Sequence, residues 1–224
     1  MKTINDMNKY KHILKNRKDA AAKLSDVIPM QRFKDESWKI VSVSSGGLVL
    51  SSYIRGKHAN SMDFLFSESI MAPNNDECEI ARVSESEEIV INENLVSTFG
   101  IQYDYIYGEA RRKHEEKILS YIYQYRKGRH FSSMKDEVVL LVDEGSETGM
   151  KLMTALKTIL AQKPKAVYIA VPVLPSDTLD LLEPFADDVF FLHDIDDYVE
   201  TSLYYEEFEK VDEEEIEKLL EEIK

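Results

Sequence analysis

Two adjacent carboxylates at the end of an unbroken apolar run are the residues of this sequence most suited to chemistry. Val138, Val139, Leu140, Leu141 and Val142 precede Asp143 and Glu144; Gly145, Ser146, Glu147, Thr148 and Gly149 follow. Paired carboxylates can hold ribose hydroxyls or a hard cation such as Mg²⁺. The loop behind them is short and polar, and Met150, Met153, Leu156 and Ile159 or Leu160 then recur at helical spacing. A loop that opens a helix gathers backbone N–H groups and the positive end of the helix dipole around one small volume. Such a volume suits a phosphate.

These groups need a frame. The apolar run fits a strand buried on both faces, and therefore an inner strand of a parallel sheet. Ahead of it, residues 19–28 read as an amphipathic helix ended by Pro29, 38–43 as a strand, 48–54 as a helix and 62–66 as a second strand. Residues 79–83 and 89–92 predict a hairpin with a polar tip. Residues 104–127 predict a long helix ending at Gly128, with Tyr105, Tyr121, Tyr123 and Tyr125 packing it rather than stacking bases. Beyond the loop come a strand at 166–173, a helix capped by Ser176, and a strand at 189–192. A closing helix starts at Asp212 with Glu215 three residues on, facing Ile216, Leu219, Leu220 and Ile223 inward. This alternation predicts an α/β fold, an open parallel sheet with helices on both faces. Residues 1–224 read as one domain, with 1–30 a helical extension and about 67–130 a flap or hood. Ligands in such sheets collect at the carboxyl ends of strands where the order reverses; here that means 44–47, 143–149 and the segment after Val173.

At residues 143–149 the chain resembles the type I phosphoribosyltransferases, whose signature is an apolar strand, two acids, a short loop and Thr-Gly entering a helix. The wider likeness is to a bacterial branch of predicted phosphoribosyltransferases. It runs through Ala72-Pro73, residues 79–83, Ile91-Asn92-Glu93, Tyr125-Arg126, Gly128 and residues 170–173, and ends near Tyr205 and Phe208. Ser44, Ser45, Gly46 and Gly47 give a weaker echo.

The resemblance implies a phosphoribosyltransferase-like sheet and a small-molecule substrate, phosphoribosyl pyrophosphate or a nucleotide. The reaction it implies transfers the phosphoribosyl group to a nitrogenous acceptor, a purine or pyrimidine base-like group, and releases pyrophosphate. The transition state of such a transfer resembles an oxocarbenium ion, and its polyanionic leaving group calls for Mg²⁺, cations and backbone N–H groups. By resemblance the 5′-phosphate falls to Gly145, Ser146, Thr148, Gly149 and Met150, with Thr148 donating its hydroxyl. Asp143 and Glu144 take the ribose hydroxyls and the Mg²⁺. Ser44, Ser45, Gly46 and Gly47 take the pyrophosphate. Glu147 stands where purine-salvage relatives carry the acid that handles the proton of the attacking nitrogen, and so reads as a general acid/base or as a solvent-facing loop side chain. The chain also departs from the branch: no Arg precedes Gly46, Glu68 and Ser69 replace an Arg-Lys pair, and Lys151 replaces a Thr. Arg82, Arg111, Arg112, Lys113 and Lys151 are the cations available to compensate. A non-catalytic protein that keeps the fold to bind a nucleotide or phosphate, for regulation or protein interaction, is the alternative.

Composition narrows the classes. A net charge of −14, from 42 acidic against 28 basic residues, disfavours nucleic acid as a partner. Lys2, Lys9, Lys11, Lys15, Arg17, Lys18 and Lys23 concentrate positive charge near the start, whereas the tail beyond Glu206 is acidic. The single cysteine, Cys78, excludes an internal disulfide and fits a reducing cytoplasm. No apolar run approaches membrane-spanning length, so no membrane partner is expected; a homo-oligomer is compatible with the sequence. His12, His58, His114, His130 and His193 show no metal-ligand spacing, and Asp194, Asp196 and Asp197 lack the glycine and glutamate of a Ca²⁺ loop.

Overall fold

The computed structural model describes residues 12–58 and 60–222, so Lys2, Lys9, Lys11 and Ile223 lie outside the described residues. Its central strands are β1 (Lys39–Ser42), β2 (Met62–Phe64), β6 (Val138–Val142), β7 (Ala166–Pro175) and β8 (Asp188–Ile195). They form one all-parallel sheet of five strands in the order β2-β1-β6-β7-β8. β6 is the middle strand and every residue of it is buried, as an apolar run without alternation requires.

Alternate side chains of β6 serve two cores. Leu140 and Val142 join Ala20, Leu24 and Leu48 from α1 (Arg17–Val27) and α3 (Ser45–Arg55) on one face. Val139 and Leu141 join Leu152, Leu156 and Ile159 of α7 (Met150–Ala161) and Leu182 of α8 (Ser176–Leu182) on the other. The open parallel sheet with helices on both faces is therefore present as expected. Among the described residues no helix is long and apolar enough to cross a membrane.

Several boundaries differ from the sequence reading, each for a local reason. α3 starts at Ser45 rather than at Leu48, because Ser44 adopts an extended conformation and its hydroxyl accepts the Gly47 amide at 2.9 Å. Gly46 and Gly47 are thus in a first helical turn. Ser176 is not a cap: it is the first helical residue, Pro175 holds the cap position, and the Ser176 hydroxyl donates to Asp196. At the other end Asp212 does cap α9 (Glu213–Glu221), accepting the Glu215 amide at 2.8 Å, and Ile216 and Leu220 are buried beneath it.

Residues between β2 and β6 build a separate layer. β3 (Ser67–Ala72), β4 (Asn75–Ser84) and β5 (Ile89–Ile91) form an antiparallel sheet, in which the β4–β5 hairpin is the expected one and β3 is an addition. A short α4 (Glu93–Phe99), also unanticipated, leads to α5 (Tyr103–Lys113), a π-helical turn at His114–Ile118 and α6 (Leu119–Arg126). Tyr121 and Tyr125 pack on Phe66 and Tyr105 donates to Met71 O, whereas Tyr123 is 76 % exposed and so does not pack the helix as expected.

This layer is fastened by a buried ion pair. Arg126 contacts Glu85 with side-chain exposures of 7 % and 3 %, and its guanidinium lies 4.8 Å from the Phe66 ring centre and 5.8 Å from that of Phe131. Burial pushes the Glu85 carboxyl up, and Arg126 pulls it back down. Losing one partner of a buried pair costs about 3–5 kcal/mol, because the other charge is left without its counter-charge. Arg126→Met should lower the unfolding free energy by that order at pH 8. A carboxyl whose folded pKa rises still further destabilises only where it is ionised. The loss should therefore shrink as pH falls through the raised pKa of Glu85 toward 4, which urea titrations at the two pH values would measure.

Candidate functional site

From β1 the chain runs outward to β2, and from β6 it runs the opposite way to β7 and β8. The order reverses between β1 and β6, so a crevice opens at their carboxyl ends. A cavity of about 490 Å³ lies there. Its floor is Asp143 and the loop to Thr148, its walls are Glu79 and Arg82 of β4 with Lys151 of α7, and Thr201, Ser202 and Phe208 cover it.

Asp143 is 1 % exposed. Its Oδ1 accepts the Ser44 hydroxyl and, at 2.9 Å, the Glu144 amide. Its Oδ2 is buried and has no hydrogen-bond partner among the described residues; Lys151 Nζ stands 4.0 Å away. A buried carboxylate oxygen at a cavity wall calls for a cation or a hydroxyl donor from whatever enters. Among the described residues no three His, Cys, Asp or Glu side chains are gathered for a metal. Asp143 Oδ2 nevertheless fits a Mg²⁺ that a ligand's own phosphates would bring, since such ions need only one or two protein carboxylates.

The loop at residues 145–149, expected from the sequence to take a phosphate, is held by its own bonds. The Ser146 amide donates to Val173 O at 3.3 Å, which ties the loop to β7. Ser146 Oγ accepts the Gly149 amide at 3.2 Å and Thr148 Oγ1 accepts the Met150 amide at 3.4 Å. Both bonds are at the long end of the useful range, so phosphate oxygens could replace them at little cost. Gly149 holds the cap position of α7 without a side-chain cap, and Thr148 and Lys151 on either side of the helix start line the cavity. Glu147 and Thr148 are exposed, and the Glu147 carboxylate accepts the Thr201 amide at 3.3 Å.

Glu144 lines the same cavity as Asp143 and also reaches the start of α3. Its carboxylate lies against Gly46: a Cβ at that glycine would stand 1.9 Å from Glu144 Cδ. It pairs there with Arg17 Nε at 2.6 Å, the two side chains being 16 % and 11 % exposed. Burial pushes the Glu144 carboxyl up, and the nearby Arg17 guanidinium opposes that rise. The glycine-pair seat expected to receive pyrophosphate is thus filled by a carboxylate of the chain itself. Ser44 is likewise engaged, with Asp143, and Ser45 is half-buried in the first turn of α3.

Both ends of the described chain close this region. The amides of His12 and Leu14 donate to Leu203 O and Tyr204 O, each at 3.0 Å, and the Glu206 amide returns to Leu14 O at 2.8 Å. The segment held this way comes so near the loop that a Cβ on Gly145 would lie 2.3 Å from Thr201 Cγ2. Tyr205 donates to Glu144 O at 2.6 Å, and burial raises its pKa well above the ordinary phenol value. Arg17 also donates to Glu209 O at 2.8 Å and lies 4.6 Å from the Phe208 ring centre.

Of the five basic residues singled out as compensators, only Arg82 and Lys151 line the cavity. Arg111 and Arg112 pair with glutamates on exposed helix surface, and Lys113 answers Glu68 at 3.8 Å, away from the cavity lining. Against those two cations stand five lining carboxylates, those of Glu79, Asp143, Glu144, Glu147 and Glu200. Arg82 is itself bonded to Glu79 at 2.7 Å. Sequence reasoning missed Arg17, which it counted only among the positive charges near the start, and Thr201, which no motif marks.

No family model matches the sequence. The structure is similar to TT1426 from Thermus thermophilus, with a TM-score of 0.75 and 26 % identity over 93 % of this chain and 98 % of that one. Two further likenesses are slight. A hypothetical protein from Neisseria gonorrhoeae with bound ppGpp gives a TM-score of 0.48 at 13 % identity, over 95 % of this chain and 97 % of that one. A hypoxanthine phosphoribosyltransferase from Staphylococcus aureus gives 0.45 at 15 % identity, over 88 % and 83 %. Neither bears on fold or function at that level. The chain shares its architecture with TT1426 over nearly its whole length.

Proposed function

We propose that the cavity binds the phosphoribosyl part of phosphoribosyl pyrophosphate or of a nucleotide, and that the protein is a phosphoribosyltransferase-like transferase acting on a nitrogenous acceptor. One observation carries this reading: the unpartnered, buried oxygen of Asp143 belongs to the same cavity lining as Thr148 and Lys151, which flank the start of α7, at the point where the strand order reverses. The oxygen suits a hydroxyl or a ligand-borne Mg²⁺, the helix start a phosphate, and a ribose phosphate carries both partners.

In this reading the loop amides and the Thr148 hydroxyl hold the 5′-phosphate. Asp143 orients the ribose and places negative charge near the cationic sugar of an oxocarbenium-like transition state. Mg²⁺ would neutralise charge on the departing pyrophosphate. Lys151 and Arg82 add fixed positive charge nearby. Glu147, once it leaves the Thr201 amide, takes a proton from the acceptor nitrogen. The segment bearing Thr201, Ser202 and Phe208 limits water, which would otherwise compete as acceptor. The excess of carboxylates over cations supports the second reading, a non-catalytic protein that binds a nucleotide. The two readings part on turnover: pyrophosphate release from phosphoribosyl pyrophosphate, tested with a panel of purine and pyrimidine bases, occurs only in the first.

Thr148 is exposed and supports no packing, so Thr148→Val should leave the fold intact. A hydrogen bond to a charged group contributes about 1.5–3 kcal/mol, so calorimetric titration with ribose 5-phosphate should show at least about a tenfold loss of affinity. Undiminished affinity would remove the phosphate from this loop. Binding of phosphoribosyl pyrophosphate should depend strongly on Mg²⁺, and Asp143→Asn should abolish that dependence; an equal response to Mg²⁺ in parent and variant would move the ion elsewhere.

A further inference from the structure

Resting on the phosphoribosyl reading of the cavity, we propose that the Glu144 carboxylate is an internal stand-in for the ligand's diphosphate, and that Arg17 is the residue that receives the diphosphate when Glu144 leaves.

The resemblance puts pyrophosphate at Ser44 to Gly47 and an arginine before the glycine pair, and this chain has Ser45 there instead. The fold supplies an arginine from elsewhere. Arg17, at the start of α1, brings its guanidinium to within 2.6 Å of the Glu144 carboxylate, which itself lies on Gly46. A guanidinium fork grips two oxygens of a phosphate in the same planar manner as it grips a carboxylate. Gly46 completes the seat, since any side chain there would strike the group now held.

The resident carboxylate is exchangeable. Glu144 also lines the cavity, so rotation of its side chain would carry it from Gly46 to the side of Asp143, where a ribose or a cation would meet it. Arg17 is held in place by contacts that do not involve the exchange, the bond to Glu209 O and the Phe208 ring. The ligand then gains a fixed cation while Glu144 is released toward the sugar. The unliganded site is self-blocked, because diphosphate must displace Glu144 before it can bind.

Titration calorimetry of the whole chain with two probes, inorganic pyrophosphate with Mg²⁺ and ribose 5-phosphate, tests this. Arg17→Gln should weaken pyrophosphate at least tenfold and leave ribose 5-phosphate within twofold. Glu144→Gln, which removes the charge of the competitor, should instead tighten pyrophosphate several-fold. Equal weakening of both probes by Arg17→Gln would overturn the proposal by showing that the arginine only supports structure. No change in pyrophosphate affinity with either variant, or no pyrophosphate binding by the parent, would overturn it as well. Failure of the broader reading looks different: ribose 5-phosphate then fails to bind, whatever pyrophosphate does.

Discussion

At Gly47 the chain after β1 comes so close to the end of β6 that an added Cβ would stand 2.7 Å from Val142 O, and the space a side chain would take at the neighbouring Gly46 is filled by the carboxylate of Glu144. Taking a carboxylate out of water is costly unless a counter-charge comes with it. Arg17 answers that need, and in doing so it fixes the start of α1 against the end of β6. The same guanidinium reaches Glu209 and Phe208, so the amino-terminal helix, the loop after β6 and the carboxyl-terminal segment meet at one cation. The backbone pairing of residues 12–14 with 203–206 follows the same path and holds the segment across the cavity.

Rigidity comes from the sheet. β6 is buried on both faces and paired on both edges, so Asp143 leaves it in a fixed direction, and its Oδ1 is fixed twice over by Ser44 and by the Glu144 amide. The wall that carries Glu79 and Arg82 is a different layer. It is tied to α7 by the Thr158 hydroxyl, which donates to Ser84 at 2.9 Å, and fastened inwardly by Glu85 and Arg126. The floor of the cavity is thus set by close packing of the main sheet, and its wall by Ile70, Ile80, Ala81 and Val83, which join the same core, together with these polar links.

The main sheet was legible because its strands are short apolar runs rich in β-branched residues: at five residues, three of them valine, 138–142 favours a buried strand over a helix segment. The loop was legible for the same local reason, a glycine-bounded turn between a strand and a helical pattern. Features that depend on distant partners were not. Nothing local tells that Gly46 is helical, because two glycines and two serines read as a loop until Ser44 is seen capping the turn. β3 went unread because its burial follows no clean alternation and its register with β4 shifts near Ala72. Arg17 was hidden among surface lysines of similar spacing; only the folded chain shows that it is 11 % exposed and aimed at Glu144. Glu144 itself was read as Asp143's partner, and its contact across to Gly46 has no counterpart in sequence spacing.

The most direct measurement is a crystal structure of the protein grown with ribose 5-phosphate. The account predicts the phosphate against the backbone of residues 145–150 at the start of α7, with the ribose hydroxyls toward Asp143. A phosphate bound elsewhere, with the loop keeping its internal bonds from Gly149 and Met150 to Ser146 and Thr148, would contradict it.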